Sequence, residues 1–378
     1  MVETQERFET LLGEIAGQRR LAIDTEFHRE RTYYPKVALI QVGWSSGIAL
    51  VDPLNVDVSP FRSVLDSEVL IVMHAADQDL EVMDRICGTM PRHLFDTQLA
   101  AGFLGMSSPS LSSLHERELG LRLPKSDRLT DWLARPLSAS QQTYAASDVA
   151  HLLEIHERQV AQLTERGRLA WMEAECAEFL GRESRRRRPE DAWLRVKEVR
   201  KLNGRSRDVA RAVAAWREAR AAEVDIPVRH VLSDLAVVAI AQRAPTTSED
   251  LARIRGVEKR HLGRGAASEI LNAVAGADQL PPINESTSPG ADRRQDIRAA
   301  VTLLSAWLAQ LARDVEMDPA LIGTRADIEA LVRGDEEARM AIGWRQDLVG
   351  SAAGDLLAGR ATLAFDGRGG LLLEDRQG

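Results

Sequence analysis

Cysteine, lysine and long apolar runs are all scarce in this sequence. The two cysteines, Cys87 and Cys176, stand far apart with no C-x-x-C spacing. That excludes a disulfide-stapled framework and a thiolate metal finger, and leaves reduced thiols. No apolar stretch approaches the ~18–20 residues that cross a bilayer. The opening MVETQERFET is too polar and acidic for a signal or transit sequence, so a cytoplasmic chain with no membrane association is expected. Only five basic residues are lysine (36, 125, 197, 201 and 259), and the other 44 of the 49 are arginine, a compositional bias with no mechanistic content of its own.

What is present is 44% apolar and 28% charged over 378 residues, the balance of a globular chain of two or three domains. The net charge of −8 is unevenly spread. Residues 1–178 hold 17 basic and 27 acidic residues (−10), 179–288 hold 21 and 15 (+6), and 289–378 hold 11 and 15 (−4). An acidic total does not advertise nucleic-acid binding, but a basic middle third can supply a local phosphate-binding surface.

The first half reads as α/β. LAIDTEF (21–27), VALIQVGW (37–44), GIALVDPL (47–54) and VLIVMHAA (69–76) are short apolar segments split by turn residues, with a hairpin loop at 45–47. Helical periodicity follows in DQDLEVMDRI, in FDTQLAAGFLG and in one long segment from about Ser138 to Arg166. A mixed sheet covered by helices is expected. The second half is helical until its last residues, and the Pro- and Ser-rich PPINESTSPGAD is its clearest linker.

Asp24 and Glu26 lie two apart in an otherwise apolar strand, so both project to one face. Paired carboxylates there need a positive partner, a divalent cation being the simplest, unless the strand end is solvated. Asp79 lies where the fourth strand gives way to a helix, the place where ligand crevices form in open α/β sheets. An acid favouring a helix N-terminus explains it equally well. Tyr144 and Asp148 are spaced i, i+4 on one helix face, which alone implies no joint role.

Taken in order, D-T-E-F-x-R-E-x-T-Y-Y-P, H-A-A-D-Q-D-L-E-V and Y-A-A-S-D-V resemble the three exonuclease motifs of the ribonuclease D family, the Tyr-containing (DEDDy) branch of the four-carboxylate 3′→5′ exonucleases. The likeness spans residues 18–165 and includes FDTQLA (95–100), LPKS (123–126) and Trp132, Arg135, Pro136 and Leu137. The run W-R-E-x-R-A-x-E-x-D-I-P-V-x-x-V-L-S-D (216–234) resembles the helical HRDC module.

The resemblance implies a ribonuclease H-like α/β domain over residues 1–178, a basic connecting segment over 179–204, an HRDC domain over 205–280, a linker over 281–291 and a diverged HRDC-like domain over 292–378. The first of these reads as a unit that folds alone. By the same resemblance Asp24, Glu26, Asp79 and Asp148 are the metal-binding acids and Tyr144 the catalytic tyrosine. Four carboxylates without clustered Cys or His suit two Mg²⁺ or Mn²⁺ ions rather than Zn²⁺. The implied activity is release of nucleoside 5′-monophosphates from RNA 3′ ends, with 3′-extended tRNA precursors as substrate. A monomer needing no protein partner is expected. Candidate RNA contacts are Gln41, His74, Lys125, Arg185, Arg186, Arg187, Arg188, Arg205, Arg207 and Arg211. The alternatives are a DNA 3′→5′ exonuclease on the same scaffold and a non-catalytic RNA-binding adaptor.

Overall fold

The computed structural model describes residues 1–122, 130–181, 188–263, 265–282 and 296–376. The chain opens with α1 (Gln5–Ile15), started by the Thr4 hydroxyl accepting from the Arg7 amide. Strands β1 (Arg20–His28), β2 (Lys36–Trp44) and β3 (Gly47–Val51) form an antiparallel meander, as their apolar runs predict. A single turn, α2 (Arg62–Leu65), leads into β4 (Leu70–Met73), α3 (Asp77–Cys87), β5 (His93–Asp96) and α4 (Thr97–Phe103). The sheet order is β3-β2-β1-β4-β5, with β4 parallel to β1 and β5 parallel to β4.

Two sequence expectations need correction here. FDTQLAAGFLG is not helical throughout, because Phe95 and Asp96 end β5. Asp96 then caps α4, its carboxylate accepting from the amides of Gln98 and Leu99. After α5 (Leu111–Leu119), the long helix expected over 138–166 is two helices, α6 (Ala139–Ala150) and α7 (Leu152–Glu165). The chain leaves the helical region at His151, with φ −119° and ψ 3°. Helix α8 (Leu169–Gly181) closes the α/β part.

Side-chain alternation divides the sheet into two faces. Leu21, Ile23, Ile40 and Val42 join Phe8, Phe61, Ile71 and Leu80 in a core beneath α1 and α3. Ala22 and Val72 face the other way, into a core with Phe95, Phe103, Val149 and Leu152 beneath α4, α6 and α7.

Helices α9 (Gly204–Val224), α10 (Val228–Val231), α11 (Asp234–Arg243), α12 (Ser248–Ala252) and α13 (Ala266–Gly276) wrap a separate core around Val209, Val213, Leu232, Ile240 and Ile270. Trp193, Val196 and Val199, from the stretch read as a connector, are buried in that core. The module meets the α/β part through the β1–β2 loop. The Tyr33 hydroxyl donates to Glu218 at 2.7 Å, and the Asp225 carboxylate accepts from the Tyr33 and Tyr34 amides, each at 3.1 Å.

The last part holds α14 (Arg298–Asp314), α15 (Pro319–Ile322), α16 (Arg325–Val332), α17 (Gly343–Leu357) and a hairpin of β6 (Ala361–Phe365) and β7 (Leu371–Asp375). Its apolar residues are continuous with the core beneath α4, α7 and α8. Trp344 stacks on Trp171 with centroids 5.3 Å apart and meets Phe103 edge-on at 5.2 Å. Glu175 on α8, 2% exposed, is clamped by Arg339 and Arg345. The Asp318 amide donates to the Gly102 carbonyl at 2.9 Å, and a Cβ on Gly102 would lie 2.7 Å from Leu321. Residues 1–178 therefore bury the core beneath α1 and α3 themselves but share the one beneath α4, α7 and α8 with the last part, so the unit expected to fold alone is half dependent on a neighbour. Among the described residues, no helix is long and apolar enough to cross a membrane.

Candidate active site

Strand β1 delivers two acids to the face beneath α6. Asp24 lies opposite Gln41 and Glu26 opposite Leu39 in the antiparallel register. The register slips between Glu26 and Phe27, which pairs with Val37 and leaves Ala38 surplus on β2. Such a bulge twists a strand and re-aims its side chains. The Ala38 carbonyl is taken by Arg135, whose Nη2 donates to it at 2.6 Å. The same guanidinium binds both oxygens of the wholly buried Asp52, at 2.6 and 2.7 Å, and the Trp132 carbonyl at 2.8 Å. Burial would raise the Asp52 pKa, but bonds from Arg135 and the Leu54 amide hold it below the usual carboxylate range.

The Arg135 clamp seats Trp132 against the sheet. The Trp132 amide donates to His28 Nε2 at 3.2 Å, and the Tyr144 ring lies against the indole with centroids 6.0 Å apart. One turn further along α6 comes Asp148, 3% exposed. The helix reaches the strands because Gly43 has no side chain. A Cβ there would sit 3.2 Å from the Val149 carbonyl oxygen and 3.5 Å from the Ala22 Cβ.

The turn from β4 to α3 brings the fourth acid. Ala75 sits in the left-handed region at φ 57°, which a side chain disfavours. The Asp96 carboxylate holds this turn by accepting from the amides of Ala75 at 3.1 Å and Ala76 at 2.9 Å. Asp79 follows in the first turn of α3, 7% exposed, and accepts a hydrogen bond from the Thr25 hydroxyl of β1.

The acids are electrostatically one group. Burial, then the charges of Asp79, Asp148 and Glu26 in that order, push the Asp24 carboxyl well above its ordinary pKa. Burial likewise raises Asp79 to about 6, against the Thr25 hydrogen bond that lowers it. Among the described residues, no group of three or more acids, histidines or cysteines is drawn together closely enough to hold a metal ion as the side chains stand. The donor set is nonetheless all oxygen, and its crowded negative charge calls for a hard cation.

The other sequence-proposed contacts fare differently. Gln41 is fully buried beneath α6 with neither amide atom hydrogen-bonded, so it offers RNA no surface. His74 is engaged at both ring nitrogens, with Thr97 at 2.9 Å and the Pro109 carbonyl at 3.1 Å, and burial lowers its pKa. It braces the β4–α3 turn. Arg188 pairs with Asp191 at 3.0 Å, and Arg205 pairs with Asp278. Arg211 binds Asp208 at 3.1 Å and the Pro281 carbonyl at 3.0 Å, and Arg207 is partly buried on the same turn of α9. Lys125, Arg185, Arg186 and Arg187 lie outside the described residues, as do residues 123–126 and most of the 281–291 linker. Sequence reasoning missed the supporting roles of Thr25, Gly43, Asp52 and Asp96. Only Asp96 carries a readable signal, an acid just ahead of a helical run.

Residues 1–163 match a family model described as 3′-5′ exonuclease, and residues 206–274 match the HRDC domain. The chain is 34% identical to ribonuclease D of Acidiphilium cryptum, an alignment covering 97% of this chain and 95% of that protein. It is 36% identical to ribonuclease D of Gluconacetobacter diazotrophicus, covering 95% and 93%. Its fold matches the crystal structure of Escherichia coli RNase D, described as an exoribonuclease involved in structured RNA processing. That match has a TM-score of 0.83 and 29% identity, and covers 95% of this chain and 98% of the other.

Proposed function

The chain belongs to the ribonuclease D family of 3′→5′ exoribonucleases, and from that premise we propose that it trims the 3′ ends of tRNA precursors by two-metal hydrolysis at Asp24, Glu26, Asp79 and Asp148. One observation carries the site assignment: β1 bears Asp24 and Glu26, the Thr25 hydroxyl between them ties Asp79 of α3 to the same strand, and Asp148 is buried on α6, which packs over that sheet face. A buried group of like charges is costly unless something positive joins it. When bound, Mg²⁺ or Mn²⁺ ions supply Lewis acidity for in-line displacement at phosphorus.

The chain's own residues do the positioning. Asp24, Glu26, Asp79 and Asp148 would hold the cations, and Thr25 fixes the Asp79 carboxylate by donating to one of its oxygens. Tyr144, one helical turn before Asp148 and seated against Trp132, orients the attacking water through its hydroxyl. A tyrosine of ordinary pKa near ~10 suits orientation better than proton removal. Gln41 and His74 drop out of the RNA-contact set, the first by burial and the second by its engagements within the protein.

The test is a 5′-labelled tRNA carrying a 3′ extension, incubated with the purified protein with and without EDTA. The reading expects shortening from the 3′ end that stops near the mature terminus and is abolished by EDTA. Shortening that persists in EDTA would remove the metal assignment. Indifference between the tRNA and an unstructured RNA of equal length would remove the tRNA assignment.

A further inference from the structure

Of the basic residues singled out from sequence, Arg205, Arg207 and Arg211 lie at the start of α9, where Arg205 pairs with Asp278 and Arg211 binds Asp208 and the Pro281 carbonyl. At the other end of the same helix is a cavity of about 440 Å³, lined by Trp216, Arg220, Ile226, His230, Arg260 and His261 among others. We propose that this cavity is a nucleotide subsite for single-stranded RNA lying upstream of the 3′ end being cleaved. This rests on the exoribonuclease reading above and adds a binding site to it.

Half of the lining is Trp216, two guanidiniums and two imidazoles, the other half is aliphatic or glycine, and none of its described residues is a carboxylate. A ligand there must bring flat apolar faces and hydrogen-bond acceptors, as a base and its phosphate do. The cavity's side chains are held in place. The Trp216 indole N–H donates to Glu269 at 2.8 Å, which fixes the ring plane. Arg220, 19% exposed, is steadied by Glu223 at 2.8 Å. Arg260, 73% exposed at the rim, is steadied by Glu258 at 3.0 Å. The His261 ring is anchored by the Glu258 amide, which donates to its Nδ1 at 3.1 Å, and burial lowers its pKa. Arg220 and Arg260 are themselves the partners of Glu223 and Glu258, and Arg260 Nε also donates toward His261 Nε2 at 3.3 Å. A guanidinium has five N–H donors, however, and each keeps some beyond these bonds for a phosphate at the cavity.

Position supports the assignment. Ile226 and Val231 line the cavity and also pack in the apolar seam with Tyr33 and Tyr34. Tyr33 follows Glu26 by seven residues, so this seam lies within about 25 Å of the acids whatever path the loop takes. A stacked strand rising ~3.4 Å per nucleotide covers that span in roughly seven nucleotides. An RNA of about that length is therefore long enough to reach from the acids to the seam beside the cavity.

The experiment is fluorescence anisotropy of the full chain in EDTA with a labelled oligouridylate of about 12 nucleotides, long enough to span both sites, across a salt series. For Arg220→Gln with Arg260→Gln, affinity should fall roughly 10-fold, and the slope of log K against log salt should shrink by about 1.4, two phosphate contacts' worth for a single strand. If that pair lowers the melting temperature, Arg260→Gln with His230→Gln replaces it, since both side chains are exposed. Wild-type affinity and slope in a well-folded variant would overturn the subsite. So would equal affinity of the wild-type protein for a polyglutamate peptide of matched charge, which would make the cavity a general anion patch. Wild-type hydrolysis of a short RNA in Mg²⁺ is scored separately, so failure of the exonuclease reading is distinguishable from failure of this one.

Discussion

A single carboxyl to amide change at position 24 separates function from stability. Asp24→Asn removes a cation ligand and should abolish nearly all turnover. It also removes one carboxyl from a crowded group of four, of which Asp79 and Asp148 are buried, so in EDTA at neutral pH the variant should be more stable, by roughly 1–3 kcal/mol. Paired assays of RNA hydrolysis and chemical denaturation read both effects, and a fully active Asp24→Asn would end the assignment. Tyr144→Phe keeps the ring on Trp132 and loses only the hydroxyl. Turnover should drop by ~10²–10⁴-fold, far beyond what any shift of the denaturation midpoint accounts for. His156 gives a pH signature of its own. It is buried against Phe95 and faces the Arg20 guanidinium at 3.1 Å, and burial first, then Arg20, lower its pKa to about 4. The folded state binds fewer protons there than the unfolded state, so the contribution is complete above ~6.5 and lost as pH falls toward 4. His156→Gln should flatten that acid limb by about 2–3 kcal/mol, read from denaturation midpoints across the window.

Among the elements, α6 depends most on a residue outside it. Gly43→Ala would drive a methyl against the Val149 carbonyl at 3.2 Å and lift the end of α6 that carries Asp148. Overpacking of this kind costs about 1–3 kcal/mol, and the displaced acid should lower turnover beyond what the stability change explains. Measuring turnover well below the melting temperature separates the two, and unchanged kinetics would show that α6 tolerates the shift. This contact also marks how far the sequence could be read. The motif acids and Tyr144 were legible because each sits in a distinctive local string, and the meander was legible from its apolar runs. β5 was not, because four residues are too few to display alternation. The break at His151 was hidden by helical periodicity on both sides. The burial of Gln41 arises from the packing of α6 on β2, and the Arg135–Asp52 clamp joins residues 83 apart in the chain. Neither leaves a local pattern.

For the whole molecule, one helical part stands on its own core while the other shares the core of the α/β part. Truncation after Glu178 should therefore give an aggregating fragment rather than a cooperative domain. It strips Phe103 and Trp171 of Trp344 and leaves Glu175 without Arg339 and Arg345. Removing the partners of a buried charge costs ~3–5 kcal/mol by itself. Sedimentation and near-UV circular dichroism of the fragment decide the matter, and a monomeric fragment with native aromatic signals would refute it.

The seam at Tyr33 sets a rule for recombination. Glu218, 2% exposed, serves the Tyr33 hydroxyl and also Arg195 of its own module at 2.9 Å, while Asp225 serves two backbone amides of the loop. A helical module grafted from another protein without acids at these two places would strand one hydroxyl and two amides, at ~1–3 kcal/mol for each that is buried. The piece that can be exchanged, by gene shuffling or by an engineer seeking new RNA specificity, is thus larger than the module. It must carry residues 29–35 of the β1–β2 loop with it, a segment lying some 170 residues upstream of α9. Inheritance of the two should be locked together although the chain sets them far apart.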